Sequence, residues 1–200
     1  MTPTIFVVDD DDAMRHSLEF LLKSLGQPVA CFASAEAFLA AWNPDAPGCL
    51  VLDVRMPGMS GLDLQRELNE RAATLSIVFI SGHGDIPMVV RAMRAGAMDF
   101  LEKPFNDQVL LDHVTAGLRK SAKACEAARR AAALRARIDG LTARERAVMG
   151  LVALGKPNKV IAFELDISIK TVEVHRAHVM EKMGATSVAD LTRMLVEAGS

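Results

Sequence analysis

In the first half of the chain, short apolar runs end abruptly on polar side chains. Ile5-Phe6-Val7-Val8 runs into Asp9 and Asp10, Cys49-Leu50-Val51-Leu52 into Asp53, and Ile77-Val78-Phe79-Ile80 into Ser81; Asp99-Phe100-Leu101-Glu102 is followed by Lys103 and Pro104. Runs of this length, separated by helical patterns, read as buried parallel strands. In an open α/β sheet, ligands sit outside the carboxyl ends of the strands. Three carboxylates, a hydroxyl and an ammonium are therefore expected to converge on one pocket. Carboxylates brought together repel unless a hard cation lies among them, and oxygen donors of this kind suit Mg²⁺.

Strands are expected near 4–8, 28–32, 48–53, 76–81 and 98–102, and helices near 12–25, 34–42, 60–72, 85–95 and 106–118. This alternation predicts an α/β fold, a parallel sheet with helices on both faces. Gly26 fits a helix stop and Ser60 an N-cap. Trp42, the methionines, Cys31 and Cys49 read as core filler. The stretch 122–137, rich in Ala, Arg and Lys and without glycine or proline, predicts a helix. It reads as a solvated, semi-rigid spacer, with dimerisation or DNA contact as the other uses of such a helix. Asp139-Gly140 marks a break. Four short helices are expected after it: 143–154, capped by Thr142 with Glu145 three residues on; 158–165, opened by Asn158; a third through Met183, capped by Ser168; and a last one from Ser187 to Gly199. A short helix, a tight turn and a longer helix make a helix-turn-helix.

The net charge of −2 conceals an asymmetry: −8 over residues 1–114, +6 over 115–137 and zero over 138–200. An acidic front and a basic stretch behind it predict parts with different partners. The neutral last part excludes a broadly basic nucleic-acid binder, so any DNA contact rests on a few placed groups. No apolar run reaches the roughly 18 residues that span a bilayer, and Met-Thr-Pro-Thr does not open a secretory signal. The three cysteines lack metal-type spacing. The expected location is the cytoplasm, with no membrane partner.

Asp53, at a strand end, is placed to act as a nucleophile toward phosphorus and form an aspartyl phosphate. Such a step needs charge neutralisation on the phosphoryl oxygens, from Mg²⁺ and from the Lys103 ammonium. Asp10 is expected on the metal directly, Asp9 close by, and the Arg55 backbone carbonyl within reach. Ser81 offers a hydrogen bond to a phosphoryl oxygen. Asp11 and Asp12 read as helix-capping residues, and His83 as a loop side chain that either tunes phosphate hydrolysis or is plain surface.

Val-Val-Asp-Asp, Leu-Asp-Val-Arg-Met-Pro-Gly-Met-Ser-Gly, Ile-Ser-Gly and Phe-Leu-Glu-Lys-Pro-Phe, in that order, resemble a two-component receiver domain over residues 1–118. The resemblance implies a flavodoxin-like doubly wound sheet of order 2-1-3-4-5 and phosphorylation of Asp53 by a sensor histidine kinase. It also implies a switch made of Ser81 and Phe100. Residues 139–200, with Leu-Thr-Ala-Arg-Glu-Arg and Ile-Ser-Ile-Lys-Thr-Val-Glu-Val-His-Arg, resemble the LuxR-type DNA-binding domain. Together with a helical linker over 119–138, the chain resembles the FixJ/NarL group of response regulators.

In the third of the C-terminal helices, Ile169, Val172, Val179 and Met183 share an apolar face, which frees a polar face for a major groove. Lys170, Thr171, Arg176 and Lys182 are candidates for phosphate contacts; Glu173, Val174, Ala177 and His178 are better placed for base edges, with His175 flanking. Val174 is also a candidate for partial burial. The expected function is a phosphorylation-controlled transcriptional regulator, an activator by family habit, that pairs into a homodimer on phosphorylation and works on promoter DNA with RNA polymerase. It is not expected to be an enzyme beyond accepting and slowly hydrolysing its own phosphate. A phosphatase would need a general acid two residues after the nucleophile, where Arg55 stands. The other rival, a protein-interaction module whose helix-turn-helix has lost DNA, is kept open by the neutral charge of 138–200.

Overall fold

The computed structural model describes residues 2–82 and 85–199; the expectation for His83 lies outside them. The strands are β1 (Thr4–Val8), β2 (Val29–Phe32), β3 (Gly48–Asp53), β4 (Ser76–Ser81) and β5 (Asp99–Glu102). Around them run α1 (Asp12–Lys23), α2 (Ala35–Ala41), α3 (Gly61–Glu70), α4 (Ile86–Arg94) and the first part of α5 (Asp107–Asp139). All strand pairs are parallel, in the order β2-β1-β3-β4-β5. This is the flavodoxin-like receiver fold.

Strand parity builds two cores. Phe6, Val8, Leu50, Leu52, Ile77 and Phe79 face α2, α3 and α4. Ile5, Val7, Cys49, Val51, Val78 and Ile80 face α1 and α5, meeting Leu18, Leu22, Leu110, Val114 and Leu118. Every residue of β3 and β4 is buried, as expected for central strands covered on both faces. Cys49 is sealed in this core, and burial pushes its thiol up to about 12. Cys31, expected in the core, is only partly buried, because β2 is an edge strand with neighbours on one side. Trp42 is buried and stacks on Phe38 at 5.9 Å. The methionines divide: Met56, Met149 and Met183 are buried, whereas Met93 on α4 is exposed.

The chain divides into two compact units, Met1–Cys125 and Glu126–Ser200. The helix expected to end near 118 continues as α5 through Asp139, since nothing in its run of strong helix formers stops it before Asp139-Gly140. Its face is not simply solvated over 119–138. Ser121 is fully buried and accepts from the Gly48 N–H at 2.9 Å. Cys125 is buried against the Asp45 carbonyl, and Leu134 is buried in the second unit.

The second unit also holds α6 (Ala143–Ala153), α7 (Asn158–Leu165), α8 (Ile169–Met183) and α9 (Val188–Ala198) around a core of Leu141, Val148, Val152, Ile161, Val172, Val179, Met183 and Leu191. Thr142 and Glu145 form the expected reciprocal capping box, and Ser168 and Ser187 cap α8 and α9. Ile169, expected on the buried face, is 47% exposed; as the first residue of α8 it sits at the rim of the turn. No helix among the described residues is long and apolar enough to cross a membrane.

Candidate functional site

The strand order reverses between β1 and β3, and the residues that leave these strands, Asp9 and Asp53, stand side by side at the carboxyl edge. Lys103, just past β5, reaches both: its Nζ lies 2.9 Å from Asp9 Oδ2 and 2.8 Å from Asp53 Oδ1. The remaining oxygens bind backbone, Asp53 Oδ2 accepting from the Arg55 N–H at 2.8 Å and Asp9 Oδ1 from the Asp11 N–H at 2.9 Å. Asp9 and Asp53 are buried, with side-chain exposures of 1% and 9%. Two carboxylates thus share one ammonium in a place that water barely reaches. Burial pushes the Asp53 carboxyl above its usual range, although Lys103 and the Arg55 N–H pull it down. Burial also works against the charge of Lys103, but its bonds to Asp53 and Asp9 outweigh this and raise its pKa.

Ser81 is buried at the end of β4, and its carbonyl accepts from the Lys103 N–H at 2.8 Å, which ties the two strand ends together. The Phe100 ring is half-buried, 6.0 Å from the ring of Phe79. Asp10, unlike Asp9, is exposed. Gly61 is fixed by close approach: a Cβ there would fall 2.2 Å from the Asp53 carbonyl oxygen. Among the described residues, no three His, Cys, Asp or Glu side chains gather tightly enough to hold a metal between them. Mg²⁺ does not require this, since it uses one or two carboxylates and keeps several waters. The net negative charge of Asp9, Asp53 and Lys103 together fits a hydrated ion of that kind.

In the helical unit, α7, the turn at Asp166-Ile167 and α8 form the helix-turn-helix, with Asp166 in the left-handed conformation. On α8, Lys170, Glu173, Val174, Ala177 and His178 are exposed and lie on one side, away from the buried Val172 and Val179. Thr171, His175 and Arg176 are half-buried. Thr171 Oγ1 bonds the Ser168 hydroxyl at 2.8 Å, and Arg176 Nη1 donates to Asn158 Oδ1 at 3.0 Å. Lys182 is exposed, but its Nζ lies 2.8 and 2.7 Å from the two oxygens of Glu145. That buried carboxyl is held down to about 2, first by the Lys182 ammonium and then by the Thr142 N–H.

Residues 5–115 match the response regulator receiver domain, and residues 139–195 match the bacterial regulatory proteins of the luxR family. The chain belongs to the FixJ/NarL-type response regulators. Nodulation protein W of Bradyrhizobium diazoefficiens is 53% identical over 95% of this chain and 84% of its own length. The transcriptional regulatory protein FixJ of Azorhizobium caulinodans is 49% identical over 98% of this chain and 92% of its own length. Among solved structures, the response regulator StyR superposes with a TM-score of 0.87 at 46% identity, covering 98% of this chain and all of its own. FixJ-N matches at a TM-score of 0.55 and 45% identity over 60% of this chain and 95% of its own. This response regulator is a phosphorylation-controlled regulator of transcription rather than a metabolic enzyme. A receiver joined to a DNA-binding domain implies a kinase partner and DNA, and receiver domains generally bind Mg²⁺ at the phosphorylation site.

Three contributors to the sites of this response regulator escape a reading of the sequence. Arg15 Nη1 donates to the Asp9 carbonyl at 2.8 Å, Glu36 Oε1 accepts from the Met59 N–H at 3.0 Å and so pins the loop that follows Asp53, and Glu145 pairs with Lys182. Only Glu145 carried a local signal, its capping box; the pairing is 37 residues long in sequence.

Proposed function

We propose that Asp53 is the phosphoacceptor of this chain and that a sensor histidine kinase is the donor. The observation that carries this is the Lys103 ammonium bridging Asp9 and Asp53 at 2.9 and 2.8 Å. One Asp53 oxygen forms the new bond to phosphorus as the bond to the kinase histidine nitrogen breaks. Lys103 holds a fixed positive charge where negative charge builds on the phosphoryl oxygens, so positioning and electrostatics supply the catalysis. Asp9, Asp10, Asp53 and the Arg55 carbonyl would hold Mg²⁺, which when bound neutralises charge on those oxygens. Ser81 donates to the phosphoryl group once it is in place, and Phe100 moves with it as the switch. Beyond this acceptance the chain's own chemistry is slow hydrolysis, in which water takes the phosphoryl group from Asp53 and inorganic phosphate leaves.

The output is DNA binding in the cytoplasm by α8. Lys170, Thr171, Arg176 and Lys182 serve the phosphates or the frame that meets them, and Glu173, Val174, His175, Ala177 and His178 serve the bases. The exposure of Val174, 48%, supports base contact over burial. The receiver is read as 1–118, the linker as 119–138 and the DNA-binding domain as 139–200. Phosphorylation pairs two copies, which sets two recognition helices about one DNA turn apart, and the dimer activates transcription with RNA polymerase. Asp53→Asn tests the reading: with a small-molecule phosphodonor and Mg²⁺, the wild type gains mass of one phosphoryl group and binds promoter DNA more tightly, and the variant does neither. Equal promoter binding by the wild type with and without phosphodonor rejects it.

A further inference from the structure

Three helices in the C-terminal unit end on arginines borrowed from elsewhere in that unit. Helix ends leave carbonyls without intrahelical partners and carry partial negative charge, so a guanidinium there satisfies both. Recognition helix α8 ends at Gly184, in the left-handed conformation at φ 69°. The Gly184 and Ala185 N–H groups close back on the Glu181 and Met180 carbonyls. The Met183 carbonyl instead receives Arg137 Nη1 at 2.8 Å. The guanidinium lies so close under the cap that a Cβ on Gly184 would stand 3.3 Å from Nη1. Helix α9 repeats the arrangement: it ends at Gly199, and Arg135 Nε donates to the Ala198 carbonyl at 2.8 Å. Arg146 of α6 reaches the Ile138 carbonyl at 3.2 Å and so closes α5 itself.

Arg135 and Arg137 belong to α5 and precede the segment, 139–195, that matches the luxR family. They are held in place by their neighbours, since Leu134 is buried and Ile138 packs on the second unit's core. We propose that Arg137, seconded by Arg135, is a positioning residue for DNA recognition: the last turns of α5 clamp the C-terminal ends of α8 and α9 and so set the angle at which α8 meets the bases. Base-edge contacts tolerate little displacement, whereas phosphate attraction tolerates more. The clamp therefore acts on specificity rather than on general affinity. This rests on the reading above that α8 enters the groove.

The test uses the full chain, treated with a small-molecule phosphodonor and Mg²⁺, and a duplex selected from a random pool by the wild-type protein so treated, beside an unrelated duplex of equal length. Arg137→Met loses about tenfold on the selected duplex, the scale of one spoiled base contact, and less than about twofold on the unrelated one, with an unchanged salt slope. Arg137→Lys, which keeps a donor near Met183, recovers most of the loss. Equal losses on both duplexes, a salt slope smaller by about one as for a lost phosphate contact, or no loss overturns the proposal. It is also withdrawn if neither variant folds at the assay temperature, because the contact is then a folding determinant. If the wild type enriches no preferred duplex, the reading of α8 fails instead.

Discussion

At the head of the sheet, Asp9 and Asp53 share the single ammonium of Lys103, while in the helical unit Glu145 has Lys182 to itself. Both clusters bury carboxylate against lysine at under 3 Å, yet burial leaves the Asp53 carboxyl above its usual range and Lys182 holds Glu145 down to about 2. The first difference is burial, which weighs most at Asp53 and is outweighed at Glu145 by Lys182 and the Thr142 N–H; the second is sharing. Glu145 receives an ammonium and the Thr142 N–H, so its charge is matched. Asp53 must divide Lys103 with Asp9 and is left under-compensated. A matched pair stabilises a fold, whereas an under-compensated one suits the cation and phosphoryl group proposed for it.

The comparison breaks first at Glu145. Glu145→Gln keeps the shape and removes the charge, so the helical unit loses its tie between α6 and α8. Thermal unfolding at pH 7 is expected to move down by several degrees, more than for Thr142→Ala, whose cap is worth about 1 kcal/mol. The carboxyl pKa is below its ordinary value of 4.5 in the folded state. Its stabilisation is therefore present above pH 4.5 and lost as pH falls toward 2. The gap between wild type and variant should close over that window; a gap that is constant with pH would mean the charge is irrelevant.

Asp53→Asn should move stability the other way and by less. With the folded-state pKa above the ordinary 3.8, ionisation costs the native state, fully so above the folded value. Removing the charge relieves this and also the repulsion from Asp9, and the Lys103 ammonium keeps Asp9 as its partner. The expected gain at pH 7 is about 2–4 °C, the scale of roughly 1 kcal/mol. The gain should fade as pH falls through the raised folded-state value and be gone by 3.8, where the native carboxyl is already protonated. A variant that melts below the wild type at pH 7 would show the cluster to be matched after all.

The contrast between the clusters was half visible in the sequence. Strand ends read well because the buried apolar runs give way there to polar side chains, so Asp9, Asp53, Ser81 and Lys103 stand out at the strand ends. Helix starts read well because caps are local: Thr142, Ser168 and Ser187 each sit within three residues of the N–H they receive. What was not legible depends on distance or degeneracy. Asp9 and Asp10 look alike as neighbours, yet one is buried and the other exposed. The length of α5 is hidden because its composition carries no stop over 119–138, and the Ser121 bond to Gly48 spans 73 residues. The pairing of Lys182 with Glu145 spans 37 residues.

His178 gives the finest division between frame and DNA surface. Its Nδ1 lies 3.7 Å from Glu145 Oε1, farther than Lys182, and its side chain is 53% exposed. A 3.7 Å contact from an exposed imidazole is worth little, so His178→Ala should shift the melting temperature by less than about 1 °C. Facing outward on α8 beside Ala177, it should instead weaken binding to a selected duplex by about five- to tenfold, the low end for one base contact. Lys182→Met should do the reverse, lowering the melting temperature by several degrees while leaving the salt slope of DNA binding unchanged, because its ammonium already belongs to Glu145. If Lys182→Met reduces that slope by about one, its ammonium reaches a DNA phosphate in the complex, and the matched cluster of the helical unit opens on binding.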